Sequence, residues 1–337
     1  MSFHDLPAEL RNMIMQELAC QGHLKSLSSF SLTCLSLYHA GNPLLYEWNI
    51  EHQECSGFNW AISNDHVDAL KKFLQCGATA SGLLTYSNPL GHDQRLTPLW
   101  LAAKYGSIEV VRHFFTLPDV DWNWTNDVDQ TPLHIAIVSE HSEVALLLLT
   151  HPEVLIDTED GGGWTPLACA VSEGDEAVVE HLLSIDSVRP DHRTSTGNSP
   201  LWIAADWSRS IKIVKLLLDT GRVNVNLVTF VKPSTPLIAA IKANRPDIVE
   251  LLVEHPDIDV NLTSDGSSTP IGIAAEMGNL KIVKMLLQHP DIDPDRTKTP
   301  EQAPILLAAE KHQREVVSML LADGRVGQES RRLLAEL

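Results

Sequence analysis

Thr131-Pro132-Leu133 and Thr165-Pro166-Leu167 are two copies of one triplet, and the interval between them decides the fold. The triplet returns as Thr97-Pro98-Leu99, Ser199-Pro200-Leu201, Thr235-Pro236-Leu237, Thr269-Pro270-Ile271 and Ala303-Pro304-Ile305. In chain order the prolines stand 34, 34, 34, 36, 34 and 34 residues apart. Periods of this size belong to stacked repeats, in which each unit buries its apolar side against its neighbours. Within a copy, the hydroxyl residue is placed to cap a helix. Proline suits the first helical position, where its missing N–H has no partner to lose. Four residues after each proline stands an alanine (Ala102, Ala136, Ala170, Ala204, Ala240, Ala274, Ala308), small enough to let helices approach closely.

A polar or glycine-containing turn then leads to a second amphipathic helix. Its apolar residues fall at i, i+1, i+4 and i+5: Val110, Val111, Phe114 and Phe115 in one copy, Ile282, Val283, Leu286 and Leu287 in another. Segments such as His255-Pro256-Asp257-Ile258-Asp259-Val260-Asn261 end that helix and turn the chain. The 36-residue interval is met by one extra residue in the Trp207-Ser208-Arg209-Ser210 turn and one between Val228 and Pro233. A degenerate eighth copy precedes the others. Ala61, Val67, Leu70, Phe73, Leu74 and Cys76-Gly77-Ala78 match the helix pair, Phe58-Asn59-Trp60 replaces the triplet, and the loop from Ser81 to Arg95 carries seven extra residues. Gly327 to Leu337 reads as a capping helix with Leu333, Leu334 and Leu337 turned inward.

These units resemble ankyrin repeats, whose usual length is about 33 residues. The resemblance implies an all-α fold: an ankyrin-repeat α-solenoid with short β-hairpin fingers over residues 55–326, capped by residues 327–337.

Residues 1–50 lie outside the period. Pro7 is placed to start a helix in which Leu10, Met13, Ile14 and Leu18 share a face. After Gly22-His23 comes a second series of Leu24, Leu27, Phe30, Cys34 or Leu35, and Tyr38, and after Ala40-Gly41-Asn42-Pro43 comes Leu44-Leu45-Tyr46-Glu47-Trp48. Three such short helices need support from elsewhere, because a core this small contributes only about 3–5 kcal/mol. Leu6-Pro7-Ala8-Glu9-Leu10, the later Thr33-Cys34-Leu35-Ser36-Leu37-Tyr38 and Pro43-Leu44-Leu45-Tyr46 together resemble an F-box, in the divergent form that precedes ankyrin repeats in fungal proteins. Two departures stand against it: no basic residues follow the cysteine, and Cys20-Gln21-Gly22 lengthens the first link. The resemblance implies a three-helix F-box-like module that docks on the Skp-type adaptor of a cullin–RING ubiquitin ligase through Leu6, Pro7, Ile14, Leu18, Leu24 and Leu27. The alternative is a scaffold or inhibitor with no ubiquitin role, in which the same helices cap the solenoid.

With 44 acidic and 25 basic residues in 337, the formal charge is -19. That sign disfavours phosphate-backbone and anionic-lipid binding. The start Met1-Ser2-Phe3-His4-Asp5 lacks the basic and apolar regions of a signal peptide, and no apolar run approaches membrane-span length. Cys20, Cys34, Cys55, Cys76 and Cys169 are scattered and odd in number, which suits reduced thiols in a cytoplasmic or nuclear protein. Cysteine spacing does not suit zinc, and Gly161-Gly162-Gly163 has no following Gly-Lys-Ser/Thr, so it reads as an enlarged hairpin tip. His151, His255 and His289 precede prolines at helix ends, where they favour the C-terminal dipole. The acidic pairs Asp257/Asp259 and Asp291/Asp293 read as turn-formers. The expectation is a non-enzymatic, monomeric protein-binder without metal or cofactor.

In the family, partners are held by the fingers and the exposed concave side of the first helices. Here those positions hold Tyr105, Asp129, Gln130, Trp164, Glu173, Trp207 and Met277. Trp164 and Trp207 are the leading hot-spot candidates, since core packing does not call for an aromatic there; the alternative is that each simply covers the next repeat. Trp100 and Trp202, one place after the triplet where the family usually has histidine, read as structural.

Overall fold

The computed structural model describes residues 50, 56–87, 93–207, 210–263, 268–297 and 299–336. The F-box-like segment, with Leu6, Pro7, Ile14, Leu18, Leu24 and Leu27, lies outside them, as do Ser208 and Arg209. Two compact units divide the chain between Trp124 and Thr125.

The first unit holds α1 (Ser56–Ser63) and α2 (Val67–Gln75), then α3 (Pro98–Tyr105) and α4 (Ile108–Phe114). α1 packs on α2 and α3, and α4 on α2 and α3. Phe58 and Phe73 meet edge to face at 5.7 Å in its core. Asp65 stitches the two pairs together: Oδ1 accepts the Val110 N–H at 2.8 Å and Oδ2 the Glu109 N–H at 3.2 Å. A carboxylate at the start of α4 satisfies donors the helix leaves open and suits its dipole. The extra residues after Ser81, expected as a loop, instead form an antiparallel hairpin, β1 (Leu84–Ser87) against β2 (Asp93–Leu96). Its register pairs Leu84 with Leu96, and both are buried.

The second unit repeats one motif six times among its described residues. Its helix pairs are α5 (Pro132–Val138) and α6 (Ser142–Leu148), α7 (Pro166–Glu173) and α8 (Glu176–Leu183), and α9 (Pro200–Asp206) and α10 (Ile211–Asp219). They continue as α11 (Pro236–Lys242) and α12 (Pro246–Val253), α13 (Pro270–Glu276) and α14 (Leu280–Gln288), and α15 (Pro304–Glu310) and α16 (Arg314–Ala322), followed by α17 (Gln328–Glu336). Successive first helices pack on one another, and so do successive second helices. All seven helices that follow a triplet start at its proline. Thr165, Thr235 and Thr269 each accept a backbone N–H three residues on, at 3.2–3.3 Å. Ala303 has no hydroxyl to do this, and a 3₁₀ turn at Pro300–Gln302 leads into α15 instead. The seven spaced alanines are all fully buried, which is what lets the first helices pack side by side.

The fingers differ from paired strands. Each is a tight turn whose ends are joined by a backbone bond, Asn126 to Gln130, Asp160 to Trp164, Thr194 to Asn198 and Thr229 to Ser234, and the first three carry a second bond inside the turn. Gly161-Gly162-Gly163 therefore spans no more than its neighbours, while the finger at Phe230 is one residue longer. Adjacent fingers are laced by Gly161 N–H to Val128 O, Ser195 N–H to Gly162 O and Phe230 N–H to Thr196 O, each 2.9 Å.

The histidines before proline do not serve the helix dipole as expected. Nδ1 of His151, His255 and His289 accepts the N–H two residues on, at 3.2–3.3 Å. Proline at the intervening position shapes the turn and leaves that N–H free to take. The acidic pairs do turn the chain: Asp259 Oδ1 accepts Asn261 N–H and Asp293 Oδ1 accepts Asp295 N–H. In α17, Ser330 is buried and bonds Asp295 at 2.8 Å, while Leu333 and Leu334 are half-buried; Leu337 lies outside the described residues. Among the described residues no helix is long and apolar enough to cross a membrane.

Candidate functional site

The finger before α7 fixes Trp164 through its backbone. Asp160 Oδ1 accepts the N–H groups of Gly162 and Trp164, both at 2.9 Å, and the Trp164 carbonyl accepts the Asp160 N–H. That carbonyl also receives Nε2–H of His134, from the preceding repeat, at 3.0 Å. His134 is fully buried, and its Nδ1 faces the Thr131 hydroxyl at 2.8 Å and N–H at 3.3 Å.

Burial holds the His134 imidazole below its ordinary range, against the opposing pull of the Trp164 carbonyl, Asp160 and the Thr158 carbonyl. A lowered folded-state value means that the unfolded chain takes up the proton first. The stabilisation is therefore whole above about pH 6.5 and is lost as pH falls below it. Urea midpoints of the wild type should drop between neutral pH and pH 5 by more than those of His134→Asn. Parallel pH profiles for the two proteins would show that His134 carries no such term.

Trp207 caps the end of α9, and its backbone N–H reaches Ile203 O. The residue is 48% exposed, and its ring lies almost parallel to the Trp164 ring, with centroids 6.0 Å apart and 14° between planes. Trp202, on the first turn of α9, meets Trp207 at 5.9 Å and 78°. The three indoles are one cluster. Trp202 is thus half-buried and part of the surface, not simply core, and its Nε1 is buried without a partner. Trp100 in the first unit is buried, as its structural reading expects.

One carboxylate, Asp206, is bonded to the cluster, and a second, Glu173, lies on the neighbouring first helix. Burial pushes Asp206 up, while a bond from the Trp207 side chain and the charge of Lys242 draw it down. Glu173 occupies on α7 the position that Trp207 occupies on α9, each seven residues after its proline. Burial and the nearby Glu140 charge raise Glu173 above the usual carboxylate range.

The remaining sequence candidates are dispersed. Asp129 (φ 58°) and Gln130 lie at the finger one repeat earlier, where Gln130 Oε1 accepts from Asn126 at 3.3 Å. Met277 is exposed at the end of α13, two repeats beyond Trp207. Tyr105 belongs to the first unit, with Lys104 Nζ 6.0 Å from its ring. Sequence reading missed Phe230, which is 56% exposed at the tip of the lengthened finger with Arg193 4.3 Å from its ring centroid. The insertion itself is the signal that marks that finger.

Burial pushes the Cys169 thiol far up. Among the described residues no group of three His, Cys, Asp or Glu side chains is placed to hold a metal ion.

A family model described as ankyrin repeats in three copies matches overlapping segments that together run from residue 58 to 330. The chain belongs to the ankyrin-repeat family. Rabankyrin-5 of Mus musculus is similar over 157 residues at 30% identity, covering 47% of this chain and 13% of that protein. The nuclear factor NF-kappa-B p105 subunit of Gallus gallus is 29% identical over 168 residues, 48% of this chain and 17% of its own length. An ankyrin repeat-containing protein of Schizosaccharomyces pombe is 33% identical over 99 residues, 29% of this chain and 42% of its own. The chain thus spans well under two thirds of these relatives. Ankyrin repeats make it a protein-binding scaffold.

Proposed function

We propose that this scaffold is a substrate receptor that does no chemistry itself: the repeats hold a target protein, and residues 1–50 present it to a ubiquitin ligase by binding a Skp-type adaptor. The observation that carries the binding half is the Trp164–Trp207 stack between a finger and a first helix, in which Trp207 is exposed and Trp164 half-buried. Aromatics in such positions dominate binding energy where they occur in interfaces. The ligase half rests on the F-box resemblance of Leu6-Pro7-Ala8-Glu9-Leu10 and the apolar positions after it. Joined in one chain, the two halves act by raising the effective concentration of ligase at target.

The test is affinity purification of the full chain and two variants, read by mass spectrometry. Leu6→Ala/Pro7→Ala should lose the adaptor and keep the target. Trp207→Ala should keep the adaptor and weaken target capture by about 30-fold, the effect of removing a 2 kcal/mol hot spot. Adaptor capture unchanged in the double variant would remove the ligase role and leave a scaffold. Target capture unchanged in Trp207→Ala would move the binding face elsewhere.

A further inference from the structure

We propose that the Trp164–Trp207 pair is the acceptor for an arginine side chain of the partner protein, the guanidinium lying on the exposed indole and reaching Glu173 and Asp206. The assignment rests on the reading of this face as the partner-binding one and names the chemistry it selects.

The aromatic surface is the first argument. The Trp164 and Trp207 indoles lie stacked and nearly parallel, Trp202 meets Trp207 edge to face, and Trp207 keeps about half of its surface open to solvent. Tryptophan is the strongest aromatic acceptor of a cation, and its flat ring fits a planar guanidinium better than a compact ammonium. The molecule already makes this kind of contact within itself, where the Arg193 guanidinium stacks on the Phe230 ring.

Charge is the second, independent argument. Asp206 is the residue beside Trp207 and bonds its side chain. Glu173 sits on the packed neighbour α7 at the position equivalent to Trp207. Packed helices run about 8–10 Å apart, a span that an arginine side chain bridges. Further along this face a carboxylate is already matched, since Lys311 Nζ lies 3.4 Å from Glu276. Among the described residues no side chain forms an ion pair with Glu140, Glu173 or Asp206, although Lys242 acts on Asp206 at longer range. Covering these three with an apolar partner would strip water from them and give nothing back. A guanidinium supplies donors to the carboxylates and a face to the indole together. The net charge of -19 also draws basic segments toward the chain.

The experiment uses the full chain and three fluorescein-labelled glycine–serine peptides that carry arginine, lysine or uncharged citrulline at the same positions. Anisotropy titrations at low and physiological salt should show arginine binding about tenfold tighter than citrulline and at least about threefold tighter than lysine. Trp207→Ala and Trp164→Ala should each lose about tenfold for the arginine peptide with unchanged helical circular dichroism. Glu173→Gln, a near-isosteric exchange that keeps the fold, should lose about threefold. Equal binding of arginine and citrulline, lysine matching arginine, or full arginine binding by Glu173→Gln and Trp207→Ala would each overturn the assignment. A natural target that needs Trp207 but is not displaced by the arginine peptide would overturn it while leaving the proposed function intact.

Discussion

Leu182→Ala is expected to lower the unfolding free energy of the second unit by about 3–5 kcal/mol. Leu182 is fully buried on α8, which packs on α7 within its own repeat and on α6 and α10 to either side. In a repeat stack, stability is approximately a sum of terms within repeats and terms between neighbours. A cavity at Leu182 therefore weakens one internal contact and two interfaces. Leu320 on α16 is equally buried, but α16 packs mainly on α14 and α15, in the last repeat of the array. Leu320→Ala should cost less, about 2–3 kcal/mol, and should let the last repeat fray before the rest. Urea unfolding followed by circular dichroism checks both. Equal losses from the two variants would mean that the unit unfolds as a single block, with position in the stack irrelevant.

The parts of this fold that were legible in the sequence are those set by local rules at fixed offsets. Pro98, Pro132, Pro166, Pro200, Pro236, Pro270 and Pro304 each begin a helix, because proline at the first position, with a hydroxyl residue before it in every copy but the last, is a signal decided within four residues. Ala136 and Ala170 are buried because a larger side chain would push apart helices that the period requires to touch. The candidate site was legible only in part. Trp164 and Trp207 stood out singly as aromatics without a core role, but their stacking depends on how a finger meets the first helix of the next repeat, 43 residues later. Trp202 and His134 occupy the same place after the triplet, yet they do different things. The imidazole has a donor and an acceptor and spans Thr131 to Trp164, whereas the indole has a donor alone and is left without a partner. Leu84–Ser87 alternates apolar and polar residues over only four positions and its partner Asp93–Leu96 does not alternate at all, so their pairing was not readable beforehand.

Gly197→Ala should destabilise the second unit by about 2–4 kcal/mol, more than backbone strain alone would cost. The residue sits at φ +87°, a conformation that costs an L-residue about 1 kcal/mol or more. A methyl group there would also lie 2.6 Å from a Phe230 ring carbon, with the Phe230 backbone nitrogen closer still. The ring could swing aside; the backbone cannot, because its N–H is the 2.9 Å bond to Thr196 O that ties two fingers together. Moving it also pulls Phe230 from the Arg193 guanidinium. Gly174 supplies the control. Its φ of +78° is similar, yet an added methyl would meet nothing within 4 Å. Gly174→Ala should therefore cost only the backbone strain, about 1 kcal/mol. The difference between the two variants in a denaturant titration isolates the contact between fingers. Should the two losses coincide, the fingers would be stabilised independently of one another, and the lacing bond at Phe230 would contribute nothing measurable.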